Sequence, residues 1–320
     1  MLRPTRSSTG SSTKCPFPDM ALDVKELMSK VGRIRFLTDR LIDDELSGNY
    51  HSMFKGQGVE FDEVRPYEPG DDVRSIDWNV TARTGQPYIK RYKEERELTI
   101  FFLVDVSGSL SYGSRGRSKA DLAAEVSALL ALTAIRNQDK VGLVLFSDRI
   151  LKYIPPRKGR DSVMRLAREI LAAGDGAQGG TDMVEALKFF NGIRKRRAVV
   201  FLVSDFILPS SCPRDEFEKI VRATAGRHDM ISICVSDPAE TEMPDVGLVE
   251  LEDPETGEIT IADTSSASVR KSFSDAAARE KSDIERLFVK SAVDSISLSI
   301  DKPYIDEVRK LFRRRAYKRR

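Results

Sequence analysis

The string DVSGS at 105–109 closes a run of apolar residues, LTIFFLVD. In an extended chain, residues two apart point the same way. Asp105, Ser107 and Ser109 would therefore offer one carboxylate and two hydroxyls on a single face. Two more oxygen donors follow comparable signals. GGTDMVEAL sets Thr181 and Asp182 on a Gly-rich loop that opens a helix, and VVFLVSDF delivers Asp205 after another apolar run. Hard oxygen donors with no His or Cys among them suit Mg²⁺, or Mn²⁺ or Ca²⁺. Asp105, Ser107, Ser109, Thr181 and Asp205 are thus the candidate metal residues. Asp182 reads better as the cap of its helix than as a ligand, and Ser111 falls beyond the motif.

The same residues carry a resemblance. DxSxS at 105–109 with Thr181 and Asp205 resembles the metal-ion-dependent adhesion site of von Willebrand factor A domains. The preceding segment narrows it: EFDEVRPYEPGDD, Arg74, IDW at 76–78 and AR at 82–83 resemble a bacterial family of MoxR-associated proteins, the domain of unknown function 58. The likeness covers roughly Gly56 to Asp205, with looser agreement beyond. It implies that Ser107 and Ser109 coordinate the ion directly and that Thr181 does so directly or through water. It implies that Asp105 and Asp205 act mainly through waters, and that one position stays open for a carboxylate of a partner protein. Few protein carboxylates on the ion leave it short of negative charge, which the partner's Asp or Glu supplies. The resemblance also implies the partner, a MoxR-type AAA+ ATPase or its client, and chaperone-like maturation or assembly as the task. Some members carry membrane helices before the shared segment; none is legible here, so a soluble form is expected.

Such a site needs a scaffold that brings distant loops together. From Leu98 the chain alternates short apolar runs with amphipathic stretches. The runs Leu98–Val104, Val141–Ser147, Ala198–Ser204 and Met230–Val235 read as strands covered on both faces. Ser118–Asn137, Asp161–Ala172, Asp182–Ile193 and Arg214–Ala225 read as helices between them. This predicts an α/β fold, von Willebrand factor A-like, with a mostly parallel sheet and helices on both faces. The carboxyl ends of its strands, where open sheets bind ligands, are where Asp105 and Asp205 fall. Leu151–Ile154 predicts an antiparallel edge strand, and DPETGE between Leu248–Leu251 and Ile259–Ile261 a hairpin. A long helix over Ser268–Lys290, a strand over Ser295–Ile300 and a last helix opened by Pro303 complete the chain.

The expected organisation is a mobile tail over 1–19, a helix and family-specific extension over 20–97, the sheet domain over 98–252, and completing elements over 253–320. The first helix is expected over 20–48, with Gly48 as its stop. The segment Gly56–Tyr92 is rich in Gly, Pro and aromatics, with short strand-like pieces at most. Tyr67 and Trp78 predict that it packs against the sheet domain through a buried network of Asp71, Asp72, Arg74 and Asp77, joined by Arg65 and Arg83. A second acidic site or docking surface there is the other reading.

Composition excludes broad classes. Of 320 residues 40% are hydrophobic, and 52 Lys and Arg stand against 50 Asp and Glu. That balance speaks against a nucleic-acid wrapper and against an acidic disordered chain. Three scattered cysteines, Cys15, Cys212 and Cys234, offer neither a disulfide framework nor zinc spacing, which favours a reducing cytoplasm. No apolar stretch reaches the ~20 residues needed to span a bilayer. Two histidines, His51 and His228, lie in no nucleophile motif, and GSRGRSK at 113–119 lacks phosphate-loop spacing. A non-enzymatic interaction module is therefore expected. A Mg²⁺-dependent phosphohydrolase using Asp105 is one alternative. The other is an anionic-surface or nucleic-acid binder working through 309–320, which hold eight Lys or Arg and no acid; that tail otherwise reads as a solvated helix end.

Overall fold

The computed structural model describes residues 2–4, 24–42, 44–54, 59–94, 97–114, 116–175, 179–209, 212–252 and 259–318. Its centre is a six-stranded sheet of β4 (Thr99–Asp105), β5 (Lys140–Phe146), β6 (Ile150–Arg157), β7 (Val199–Ser204), β8 (Asp229–Ser236) and β11 (Asp294–Ser299), in the order β11-β8-β7-β4-β5-β6. All neighbours run parallel except β6, which pairs antiparallel with β5 as the expected edge strand. The strand order reverses between β4 and β7. That reversal opens a crevice at the strands' carboxyl ends, the usual ligand position of a doubly wound sheet.

Both faces are covered, which is why the strands read as unbroken apolar runs. Along β4 the side chains alternate. Ile100, Phe102 and Val104 join one core with α1 (Val24–Leu41), α2 (Asp44–Met53), α4 (Lys119–Arg136), α5 (Arg160–Gly174) and α9 (Ile305–Lys318). Phe101 and Leu103 join the other with α6 (Met183–Ile193), α7 (Arg214–Arg227) and α8 (Ala267–Lys290). Gly142 in β5 is needed for this packing: a Cβ there would lie 2.6 Å from the Phe101 ring.

Several expectations change. The first helix is two, broken near residue 42, and Gly48 lies inside α2 rather than ending a helix. Burial of Leu46, Tyr50 and Met53 on the sheet domain holds α2 through its glycine. Leu2–Pro4 form a strand, β1, instead of belonging to a tail. It pairs with β9 (Leu248–Glu252), which also pairs antiparallel with β10 (Ile259–Asp263), the expected hairpin. Residues 5–19, Cys15 included, lie outside the described residues.

The larger correction concerns the extension. Residues 59–94 form two full strands, β2 (Val59–Pro66) and β3 (Tyr88–Glu94), paired antiparallel, with α3 (Trp78–Thr84) between them. The charged residues do bond, but locally. Asp77 caps α3 and meets Lys90 at 3.3 Å, Arg65 meets Asp71 at 2.7 Å, and Asp72 accepts from the Arg74 amide. Arg83 is exposed. Trp78 is 69% exposed, so it does not anchor the unit to the sheet domain. A cap and two ion pairs shape this hairpin from within, which explains paired charges beside unburied aromatics.

Candidate metal centre

Asp105 ends β4, fully buried at the point where strand order reverses. Its Oδ1 accepts from the Ser107 amide at 2.9 Å and its Oδ2 from Ser204 Oγ at 2.7 Å. Thr181 Oγ1 stands 3.4 Å from the same Oδ2. After Asp105 the chain enters a short 3₁₀ turn, Gly108–Ser111, capped at Ser107, and this turns Ser107 Oγ to 3.1 Å from Ser109 Oγ. Ser107, Ser109 and Thr181 are all buried. The Gly-rich loop is tied to this turn by the Gly108 amide, which donates to the Gly179 carbonyl at 3.2 Å. Gly179 takes φ +98°, a conformation that favours glycine. Asp182 accepts from the Glu185 amide and caps α6, as its sequence context indicates.

Four of the five predicted residues thus gather within hydrogen-bonding reach. Asp205 follows β7 and shares the pocket electrostatically, but its carboxylate is engaged elsewhere. Its Oδ2 accepts from Lys119 Nζ at 2.6 Å and its Oδ1 from the Ile207 amide at 3.2 Å. The turn is made by Phe206 at φ +58°, unfavourable for so large a side chain and held by its burial against Phe288.

Lys119, Ser204 and Glu240 are the residues that sequence reasoning missed. Lys119 is the first residue of α4, whose start is fixed by a reciprocal capping box between Ser118 and Asp121. It is fully buried and bonds both Asp205 and Glu240, on the 3₁₀ turn Pro238–Glu240 after β8. That turn is itself pinned, because Asp237 accepts from the Ser114 amide and hydroxyl, each at 2.6 Å. Serine at the end of a strand and lysine at the start of a helix are ordinary in sequence. Nothing in the placement of Lys119 at the end of GSRGRSK marks it as buried.

Electrostatics follow from burial and like charge. Desolvation first and the charge of Asp205 second push the Asp105 carboxyl up to about 7, against the bonds from Ser204 and Ser107. Burial works to deprotonate Lys119, yet Asp205 and Glu240 outweigh it and hold the ammonium above its ordinary range. Burial raises Glu240 although Lys119 opposes it. Two carboxylates and three hydroxyls, buried without imidazole or thiolate, are a donor set that fits a hard divalent ion. A buried carboxylate beside a second one is also where added positive charge is most favourable. Among the described residues no three His, Cys, Asp or Glu side chains come together as a metal cluster.

The basic C-terminal helix is largely committed to ion pairs. Arg315 is buried, 2.5 Å from Asp229 and 3.5 Å from Asp294, while Lys318 reaches Asp294 at 2.8 Å and Lys310 reaches Glu307 at 2.7 Å. No described helix is long and apolar enough to cross a membrane.

The chain is similar to known proteins over most of its length. The chain is 31% identical over 290 residues to the uncharacterized protein Rv1480 of Mycobacterium tuberculosis, covering 90% of this chain and 89% of the relative. The uncharacterized protein Mb1516 of Mycobacterium bovis matches to the same extent. Among solved structures, the conserved hypothetical protein BatB of Bacteroides thetaiotaomicron aligns with 69% of this chain and 99% of its own at 12% identity and a TM-score of 0.45. The von Willebrand factor type A structure from Catenulispora acidiphila aligns with 60% of this chain and 44% of its own at 15% identity and a TM-score of 0.33. The model of the family described as protein of unknown function DUF58 matches residues 63–283, more than two thirds of the chain, and the chain belongs to that family.

Proposed function

We propose that this protein is a non-enzymatic interaction module that binds a partner through a divalent ion. One observation carries the reading: the buried oxygens of Asp105, Ser107, Ser109 and Thr181 meet at the sheet's switch point. Ser107, Ser109 and Thr181 would hold the ion, with Asp105 and Asp205 balancing its charge. The ion, Mg²⁺ or another hard cation, would act as a Lewis acid toward an incoming carboxylate. The chain's own part is to desolvate and orient. Ser204 and the Ser107 amide fix Asp105, and the link from Gly108 to Gly179 fixes Thr181 beside it. Neutral hydroxyls leave the bound cation short of negative charge, so an Asp or Glu of a second protein completes it. Resemblance to the MoxR-associated family makes a MoxR-type AAA+ ATPase, or that ATPase's client, the candidate partner.

Asp105→Ala tests this. Mg²⁺ or Mn²⁺ should bind the native chain in isothermal titration and bind the variant at least about tenfold more weakly, equivalent to 1.4 kcal/mol. Capture of an AAA+ ATPase from lysate should require the ion and fail with EDTA. Unchanged ion affinity in Asp105→Ala would remove the ligand assignment.

A further inference from the structure

The candidate site contains a cation of its own. Lys119 has no exposed surface, and its ammonium lies between Asp205 and Glu240. Burying a lysine is costly unless paired, and this one is paired twice. Of its two carboxylates, Asp205 is one of the five metal residues, whereas Glu240 belongs to a turn outside the motif. The two site carboxylates are thus treated differently. Asp105 is held by neutral donors, the Ser107 amide and the Ser204 hydroxyl. Asp205 is held by a full positive charge at 2.6 Å.

We propose that Lys119 is an internal counter-ion that competes with the divalent ion for Asp205, and that Glu240 moderates this competition by sharing the ammonium. The inference rests on the metal reading above and specifies how that site is regulated. An ion entering beside Ser107 and Ser109 meets one carboxylate already neutralised and an ammonium that repels it. The chain alone therefore binds the ion weakly. A carboxylate brought by a partner restores the missing negative charge, so ion and partner strengthen one another's binding by the same factor. Glu240 draws part of Lys119's charge away from Asp205. The Pro238–Glu240 turn, pinned through Asp237 to Ser114, thereby enters the balance.

Two variants test this with Mg²⁺ and Mn²⁺ alone, in the full chain. Glu240→Gln leaves Lys119 wholly to Asp205 and should weaken ion binding at least threefold. Lys119→Met with Glu240→Gln removes one charge of each sign and releases Asp205. It should tighten binding about tenfold relative to the native chain, by isothermal titration, with folding checked by circular dichroism. Because the double variant conserves net charge, tightening cannot come from the overall field. Native affinity in a folded double variant, or tighter binding in Glu240→Gln, overturns the proposal. Should the double variant fail to fold, Glu240→Gln is compared with Glu242→Gln, which removes the same charge from an exposed neighbour, and equal weakening in the two overturns the proposal. If the native chain itself binds neither ion, the metal reading falls and this inference with it, a result distinct from native binding that the two variants leave unchanged.

Discussion

At the scale of single residues, the chemistry depends on how a buried carboxylate is kept in place. Among the described residues no cation bonds Asp105; Ser204 and the Ser107 amide stabilise its charge through short bonds. A hydrogen bond to a buried charged group contributes about 1.5–3 kcal/mol. Ser204→Ala should therefore weaken Mg²⁺ binding about tenfold while leaving the ligand oxygens in place, as titration calorimetry would read. Native affinity in that variant would show that Ser204 does not position Asp105. Much of this layer was legible from the sequence. The DxSxS string marked Asp105, Ser107 and Ser109, although a 3₁₀ turn and not an extended chain brings the two serine hydroxyls together, and the apolar runs before Asp105 and Asp205 marked the strand ends. Lys119 was not legible. A lysine within GRSKADLAAEV reads as a solvated helix start, and only the tertiary approach of Asp205 and Glu240 buries it.

At the scale of elements, the helices that cover the sheet are held by apolar faces and by a few polar fasteners at the end opposite the site. Tyr50 of α2 donates to Asp139 Oδ2 at 2.5 Å, and the Leu98 amide donates to Oδ1 at 2.8 Å. One carboxylate thus joins α2 to the starts of β4 and β5. Burial pushes the Asp139 carboxyl up to about 6, although both bonds favour its ionised form. The folded chain keeps this proton to higher pH than the unfolded chain, whose carboxyl titrates near 3.9. Its contribution to stability is therefore full below about pH 4 and is lost as pH rises through about 6. Tyr50→Phe removes a bond made to the charged form. The loss should be on the order of 1–3 kcal/mol at pH 8 and smaller at pH 4.5, by urea denaturation at both values. An equal loss at both would show that the bond carries no charge dependence. The strands of this layer were readable because burial on both faces erases alternation. The break between α1 and α2 was not, because Ile42 and Leu46 lie four residues apart and continue the helical apolar spacing across it.

At the scale of the whole molecule, a densely covered sheet carries a unit that shares little of its core. Between Glu63 and Lys90 of this hairpin, Ile89 is the one apolar side chain that is buried, while Trp78 and Val73 are 69% and 58% exposed. A two-stranded hairpin is marginal in water without a face to lie on. Between Glu63 and Lys90, where little apolar surface is buried, the Arg65–Asp71 pair and the Asp77 cap supply order. The sequence misleads on this point because tryptophan beside proline and paired charges has the composition of a buried anchor; only exposure distinguishes the two cases. The contrast makes the final prediction quantitative. Phe102 is fully buried and stacks on Phe201 with centroids 5.2 Å apart, so Phe102→Ala should cost about 3–5 kcal/mol. Trp78→Ala, which uncovers almost nothing, should change stability by no more than about 0.5 kcal/mol. Thermal melts of the two variants measure both. A loss above about 2 kcal/mol for Trp78→Ala would mean that the extension lies against the sheet domain after all, since only a buried tryptophan leaves a cavity of that cost.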